Sequence, residues 1–129
     1  MQILLEADCL IQALKNVSDS VILNLCRQKR CHGWVASTSI PVLLEQKGVS
    51  EKDIQFVLQV LAVLSPTAHD INLALQSDKA FAKELATRLV EQSGLDAVVT
   101  QFPENFSNSK IEALTPEELK QRLDYPSSS

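Results

Sequence analysis

Asp96-Ala-Val-Val-Thr100, running directly into Gln101-Phe-Pro-Glu-Asn-Phe106, decides how this chain is read. Three consecutive apolar residues, two of them β-branched, suit a strand buried on both faces. The polar, Pro-containing segment that follows reads as a loop at that strand's carboxyl end.

Gln2-Ile-Leu-Leu5, Trp34-Val-Ala36 and Ala62-Val-Leu64 are similar short apolar runs, and Ile111 to Leu114 is a further short one. Helical patterns separate them. Ala7 to Lys15 places Leu10, Ile11 and Leu14 on one face, and Asn16 to Ser20 offers caps for a second helix reaching about Arg30, stopped by Gly33. The hydroxyls of Ser37-Thr-Ser39 begin a helix carrying Ile40, Val42, Leu43 and Leu44; Gly48 ends it and Glu45 falls near its middle. Ser50-Glu-Lys-Asp53 is a variant capping box, followed by the stripe Ile54, Val57, Leu58 and Leu61. Two helices are expected at Ala68 to Gln76 and about Lys79 to Gln92, the second with Phe81, Leu85, Leu89 and Val90 inward and Gly94 as its stop. Thr115-Pro-Glu-Glu118 starts the last helix with Pro in its first position.

Strands alternating with helices imply βαβ units, and so an α/β fold: three layers, with a mostly parallel central sheet of four to five strands and helices on both faces. The 129 residues, 45% hydrophobic with only 3 Gly, fit one domain, expected over residues 1–124, with Tyr125-Pro-Ser-Ser-Ser129 as a frayed tail. No apolar run approaches the roughly 18 residues a membrane span needs. Met1-Gln-Ile-Leu-Leu-Glu6 lacks the basic start of a signal peptide, so a cytoplasmic location is expected.

Cys9, Cys26 and Cys31 are odd in number and lack Cys-x-x-Cys spacing, which argues for reduced, buried thiols rather than a disulfide framework or a zinc site. A net charge of −4 is the wrong sign for broad nucleic-acid binding, so any RNA contact needs a local patch or a bound metal. The one dense basic cluster, Arg27-Gln-Lys-Arg30, falls where cations favour a helix C-terminus, with phosphate contact as its other reading. No Ser-His-Asp ordering or glycine-rich phosphate loop is visible, and His69 reads as a surface residue near a helix start.

Ligands of parallel sheets bind beyond the carboxyl ends of the strands. That rule selects Glu6 and Asp8 after the first strand, Ser37 to Ser39 after the second, and Thr100 to Asn105 after the fourth, with Glu45 and Glu84 approaching from helices. Converging carboxylates repel, and a hard divalent cation such as Mg²⁺ or Mn²⁺ resolves the repulsion. Each residue also has a plainer reading. Glu6 and Asp8 suit a helix N-terminus, Ser39 and Thr100 suit bonding to backbone, Glu104 suits an exposed loop, and Lys83, Glu84, Arg88 and Glu91 have the spacing of a solvated ion-pair face.

In order along the chain, Ile3-Leu-Leu-Glu-Ala-Asp-Cys-Leu-Ile11, Ser39-Ile-Pro-Val-Leu-Leu-Glu45, the Val98-Val-Thr100 loop and Leu114-Thr-Pro-Glu-Glu118 resemble the PIN-domain family, including its toxin-type ribonucleases. The resemblance implies Mg²⁺- or Mn²⁺-dependent hydrolysis of RNA phosphodiesters. It puts the family's acidic positions on Glu6, with Asp8 helping, on Glu45, at about Lys83 with Glu84 beside it, and on Asn105 with Glu104 adjacent. By the same resemblance Glu6, Asp8, Glu45 and Glu84 are the catalytic candidates, Glu6, Asp8, Glu45 and Glu104 the metal ligands, and Ser39, Thr100 and Asn105 the substrate contacts. Lys83 and Asn105 stand where the family has acids, which points to weakened or lost catalysis. The alternative is a catalytically inactive PIN-like module that binds protein or RNA. The resemblance also implies an antitoxin-like protein partner and a homodimer, for which the stripe from Ile54 to Leu61 offers a surface.

Overall fold

The computed structural model describes residues 1–16, 20–78, 80–107 and 109–124. The expected tail lies outside the described residues. Four strands follow the apolar runs closely: β1 (Gln2–Leu5), β2 (His32–Ala36), β3 (Ala62–Leu64) and β4 (Ala97–Val99). A fifth, β5 (Glu112–Leu114), completes a sheet in the order β3-β2-β1-β4-β5, in which every pairing is parallel. Chain direction across the sheet reverses between β1 and β4, which makes their carboxyl ends the topological switch point where such sheets bind ligands.

Helices cover both faces. Ile3 and Leu5 of β1, with Ala97 and Val99 of β4, pack against α1 (Ala7–Lys15), α2 (Val21–Arg27), α3 (Ser39–Leu44), α4 (Glu51–Val60) and α7 (Pro116–Asp124). Leu4 and Val98 point the other way, onto Ala86, Leu89 and Val90 of α6 (Phe81–Ser93), which pairs with α5 (Ala68–Gln76). The two-residue side-chain period of strands thus sorts one apolar run into two cores. Among the described residues no helix is long and apolar enough to cross a membrane.

Local chemistry fixes the helix starts. Ser50 and Asp53 close a reciprocal capping box at α4, as expected, and Thr115 and Glu118 exchange the same pair of bonds at α7. A third box, Thr67 with Asp70, starts α5. Hydrogen bonds from the Thr67 backbone N–H and hydroxyl, with smaller help from Gln92 and Arg88, hold the Asp70 carboxyl down at about 2. Arg88 therefore does not join a solvated face along α6. Its guanidinium lies 3.3 Å from buried Asp70 and ties α6 to α5.

Several boundaries differ from expectation. α2 ends at Arg27, not near Arg30, because Lys29 takes a left-handed conformation (φ 61°) and the chain closes a Schellman turn: Lys29 N–H to Cys26 O, Arg30 N–H to Leu25 O. Gly33 is then no helix stop but a strand residue. A Cβ there would collide with the Leu61 side chain and lie 2.8 Å from the Cys26 Sγ, so close packing requires its small size. α3 has only six residues, which leaves Glu45 at its C-terminal cap rather than its middle, and Gly48 (φ 91°) lies in the turn beyond. Ile54, Val57 and Leu61 of the α4 stripe are spent inside the chain's own core, whereas Leu58 is exposed. Phe81, expected inward, opens α6 with its ring exposed.

Candidate functional site

β1 ends at Leu5, and the chain turns into α1 through Glu6, whose backbone N–H donates to Val99 O of β4 at 3.0 Å. This bond locks the start of α1 to the switch point. Asp8 sits in the first turn of α1, where acidic side chains complement the exposed N–H groups. One of its oxygens accepts from the Cys9 N–H at 2.6 Å. The other accepts from the Thr100 hydroxyl at 3.0 Å and the Gln101 N–H at 3.3 Å, while Thr100 Oγ1 in turn accepts from the Phe102 N–H at 3.1 Å. Asp8 and Thr100 therefore form one polar bridge between β1 and β4. Both plain readings, helix N-terminus for Asp8 and backbone bonding for Thr100, hold within it.

Glu6 faces a different surrounding. It lies in a groove of about 260 Å³ between α3 and α6, walled by Ala36, Val42, Phe81, Leu85 and Leu89, with Ser39 at one side. Burial among these apolar groups, reinforced by the Asp8 carboxylate, pushes the Glu6 carboxyl up to about 7, against an opposing pull from the Lys83 ammonium. Near neutral pH this carboxyl is thus shared between its protonated and ionised forms.

Glu45, Glu84, Glu104 and Asn105 do not line that groove. Lys83 and Glu84 line a second pocket of about 240 Å³ with Asn105 and Phe106, the last two from a 3-10 turn over Pro103–Phe106. Glu104, in the same turn, is exposed, as is Glu45; neither lines the groove that holds Glu6. Glu45 follows Ser39 by six residues along α3, which at 1.5 Å per residue displaces it about 9 Å along the helix axis. The structure thus brings together Glu6 and Ser39 in one groove, Asp8 and Thr100 in one bridge beside it, and Glu84 with Asn105 in another pocket.

A hard divalent cation asks for anionic oxygens free to coordinate it. Both Asp8 oxygens accept hydrogen bonds, Glu6 has an ammonium in its field, and among the described residues no group of three His, Cys, Asp or Glu side chains is arranged to hold a metal ion. The described residues therefore present no preformed set of three such ligands for Mg²⁺ or Mn²⁺. The groove's apolar wall and the Gln101 N–H were not anticipated; Val42 and Leu85 on neighbouring helical patterns were the available signal for the wall, whereas a backbone donor carries none.

No protein-family model matches this chain, and no curated protein matches it. Among solved structures it is similar to PAE2754 from Pyrobaculum aerophilum, with a TM-score of 0.64 and 23% identity over 96% of this chain and 90% of that one. At that identity the likeness speaks for a common three-layer α/β fold.

Proposed function

We propose that this chain is a PIN-type domain of nuclease ancestry whose hydrolytic activity is weakened or lost, and which acts as a binding module for a protein partner. The observation that carries this reading is the groove over Glu6: a carboxyl on an apolar floor, walled by exposed Val42 and Phe81, with Lys83 supplying the nearby counter-charge. Apolar walls and a carboxylate suit a protein segment with an apolar and a cationic side chain, and oppose a polyanion. An antitoxin-like protein or a second copy of the chain is a partner of this kind.

A second reading is residual Mg²⁺- or Mn²⁺-dependent hydrolysis of RNA. The Asp8–Thr100 bridge, at the carboxyl ends of β1 and β4 with Glu6 adjacent, supports it, since that is where parallel sheets carry their chemistry. The deciding experiment incubates a mixed-sequence RNA with the purified protein, with and without Mn²⁺. The binding-module reading expects no metal-dependent cleavage above that of a Glu6→Gln variant. Cleavage that needs Mn²⁺ and disappears in Glu6→Gln and Glu45→Gln would favour the nuclease.

A further inference from the structure

The amino ends of the strands hold an arrangement that neither function uses. Cys26, in the last turn of α2, and Cys31, immediately before β2, are both buried, and their sulfurs lie 3.4 Å apart. The Schellman turn through Lys29 folds the chain back and faces one thiol to the other. Behind them Gly33 has no side chain, and the Cys26 sulfur occupies the space a Cβ would need. In front, Cys31 lines an open surface pocket of about 360 Å³ whose rim carries Lys29, Arg30 and His32.

We propose that Cys26 and Cys31 form a reactive dithiol that closes reversibly to a disulfide, with an anionic low-molecular-weight disulfide as its oxidant. Cys31, and not Cys26, lines that pocket, and the two cations at its rim favour a negatively charged reagent. Cys31 Sγ, as thiolate, attacks one sulfur of the small disulfide. A bond forms between them, the reagent's own S–S bond breaks, and the departing thiolate takes up the proton that Cys31 releases. Cys26 Sγ then attacks Cys31 Sγ, forming the internal bond and breaking the mixed one, and its proton goes to the second departing thiolate. Two protein thiols are oxidised and one small disulfide is reduced to two thiols.

The order of attack follows from position: Cys31 lines the surface pocket and Cys26 does not. The contact between the two sulfurs, in which either can donate, and the nearby Arg30 charge lower the Cys31 thiol, while the same contact and burial raise Cys26. Nearby cations favour the thiolate of the residue that lines the pocket. Closure needs the sulfurs to approach from 3.4 Å to a bonding distance of about 2.0 Å, a movement within reach of two side chains and one turn. Cys9, buried in the core on α1, has no place in this scheme.

The test treats the native protein with oxidised glutathione and counts thiols after denaturation. The expected count falls from the sequence's 3 cysteines to one, peptide mapping without reductant links Cys26 to Cys31, and dithiothreitol restores all of them. Cys26→Ser should stop at a mixed disulfide on Cys31; if that variant fails to fold, the map of the unaltered protein decides alone. A native protein that keeps every thiol while the denatured chain oxidises, or a link that involves Cys9 or a second molecule, would overturn the proposal. Uncharged hydroxyethyl disulfide should react more slowly than glutathione disulfide, and high salt should narrow the gap. Equal rates at low salt would refute the anionic selection.

Discussion

The two ends of the same strands solve opposite problems. At the carboxyl ends of β1 and β4, charges crowd together: Glu6 and Asp8 are two residues apart, and an apolar groove raises the cost of ionising one of them. At the amino ends, atoms crowd instead. Gln2 N–H donates to Asp96 at 2.6 Å, His32 N–H to Met1 O at 2.8 Å, and Gly33 leaves no room for a methyl group beside Cys26 and Leu61. One end is limited by electrostatics and responds to pH. The other is limited by volume and responds to substitution or oxidation.

The largest effect expected from this contrast is at Glu6. Its folded-state value, about 7, lies above the ordinary 4.5, so the folded chain holds this proton more tightly than the unfolded one. The associated stability is fully present below pH 4.5 and is lost as pH rises through 7. A shift of this size corresponds to about 3 kcal/mol. Denaturant unfolding of Glu6→Gln should match the parent at low pH and exceed its stability by roughly that amount at pH 8. A pH-independent difference between the two proteins would show that burial does not raise the Glu6 carboxyl.

Gly33→Ala probes the opposite end. Overpacking against Cys26 and Leu61 should cost about 1–3 kcal/mol at every pH, read as a lower unfolding midpoint with an unchanged slope. An undiminished midpoint would show that the amino ends are loosely filled. A smaller gain is expected from Lys29→Gly, since a left-handed residue with a Cβ carries a penalty of about 1 kcal/mol that glycine avoids. A loss of stability there would mean that the Lys29 side chain contributes more than its backbone conformation costs.

The layers were legible in the sequence because apolar runs and helix caps are local signals. Gln2–Leu5, Ala62–Leu64 and Ala97–Val99 are short enough and apolar enough to be strands, and the Ser50–Asp53 box announces its helix in four residues. Gly33 was misleading because the left-handed position that ends α2 carries Lys29, a residue type that gives no signal for it. Leu58 and Phe81 show the limit of helical periodicity, which groups residues on a face without saying how far the covering layer extends.

The site was legible only in part. Glu6, Asp8 and Thr100 follow from the rule that parallel sheets bind at strand ends, yet the Asp8–Thr100 bond joins residues 92 apart in sequence and no local pattern encodes it. Glu45 fails to join Glu6 for a metrical reason: six residues of helix carry it to the far end of α3. Residue type identified oxygen donors, and their spacing along elements decided which of them meet. The Cys26–Cys31 pair was hidden likewise, since only the turn between them turns a spacing of five into a contact.

We read the carboxyl-end cluster as a buried carboxyl in the field of the Lys83 ammonium, with no cation bound between Glu6 and Asp8. Calorimetric titration of the purified protein with Mn²⁺ at neutral pH tests this reading most directly. No saturable heat beyond that of Glu6→Gln is expected; stoichiometric binding of one ion, abolished in Glu6→Gln, would instead make the cluster a cation site.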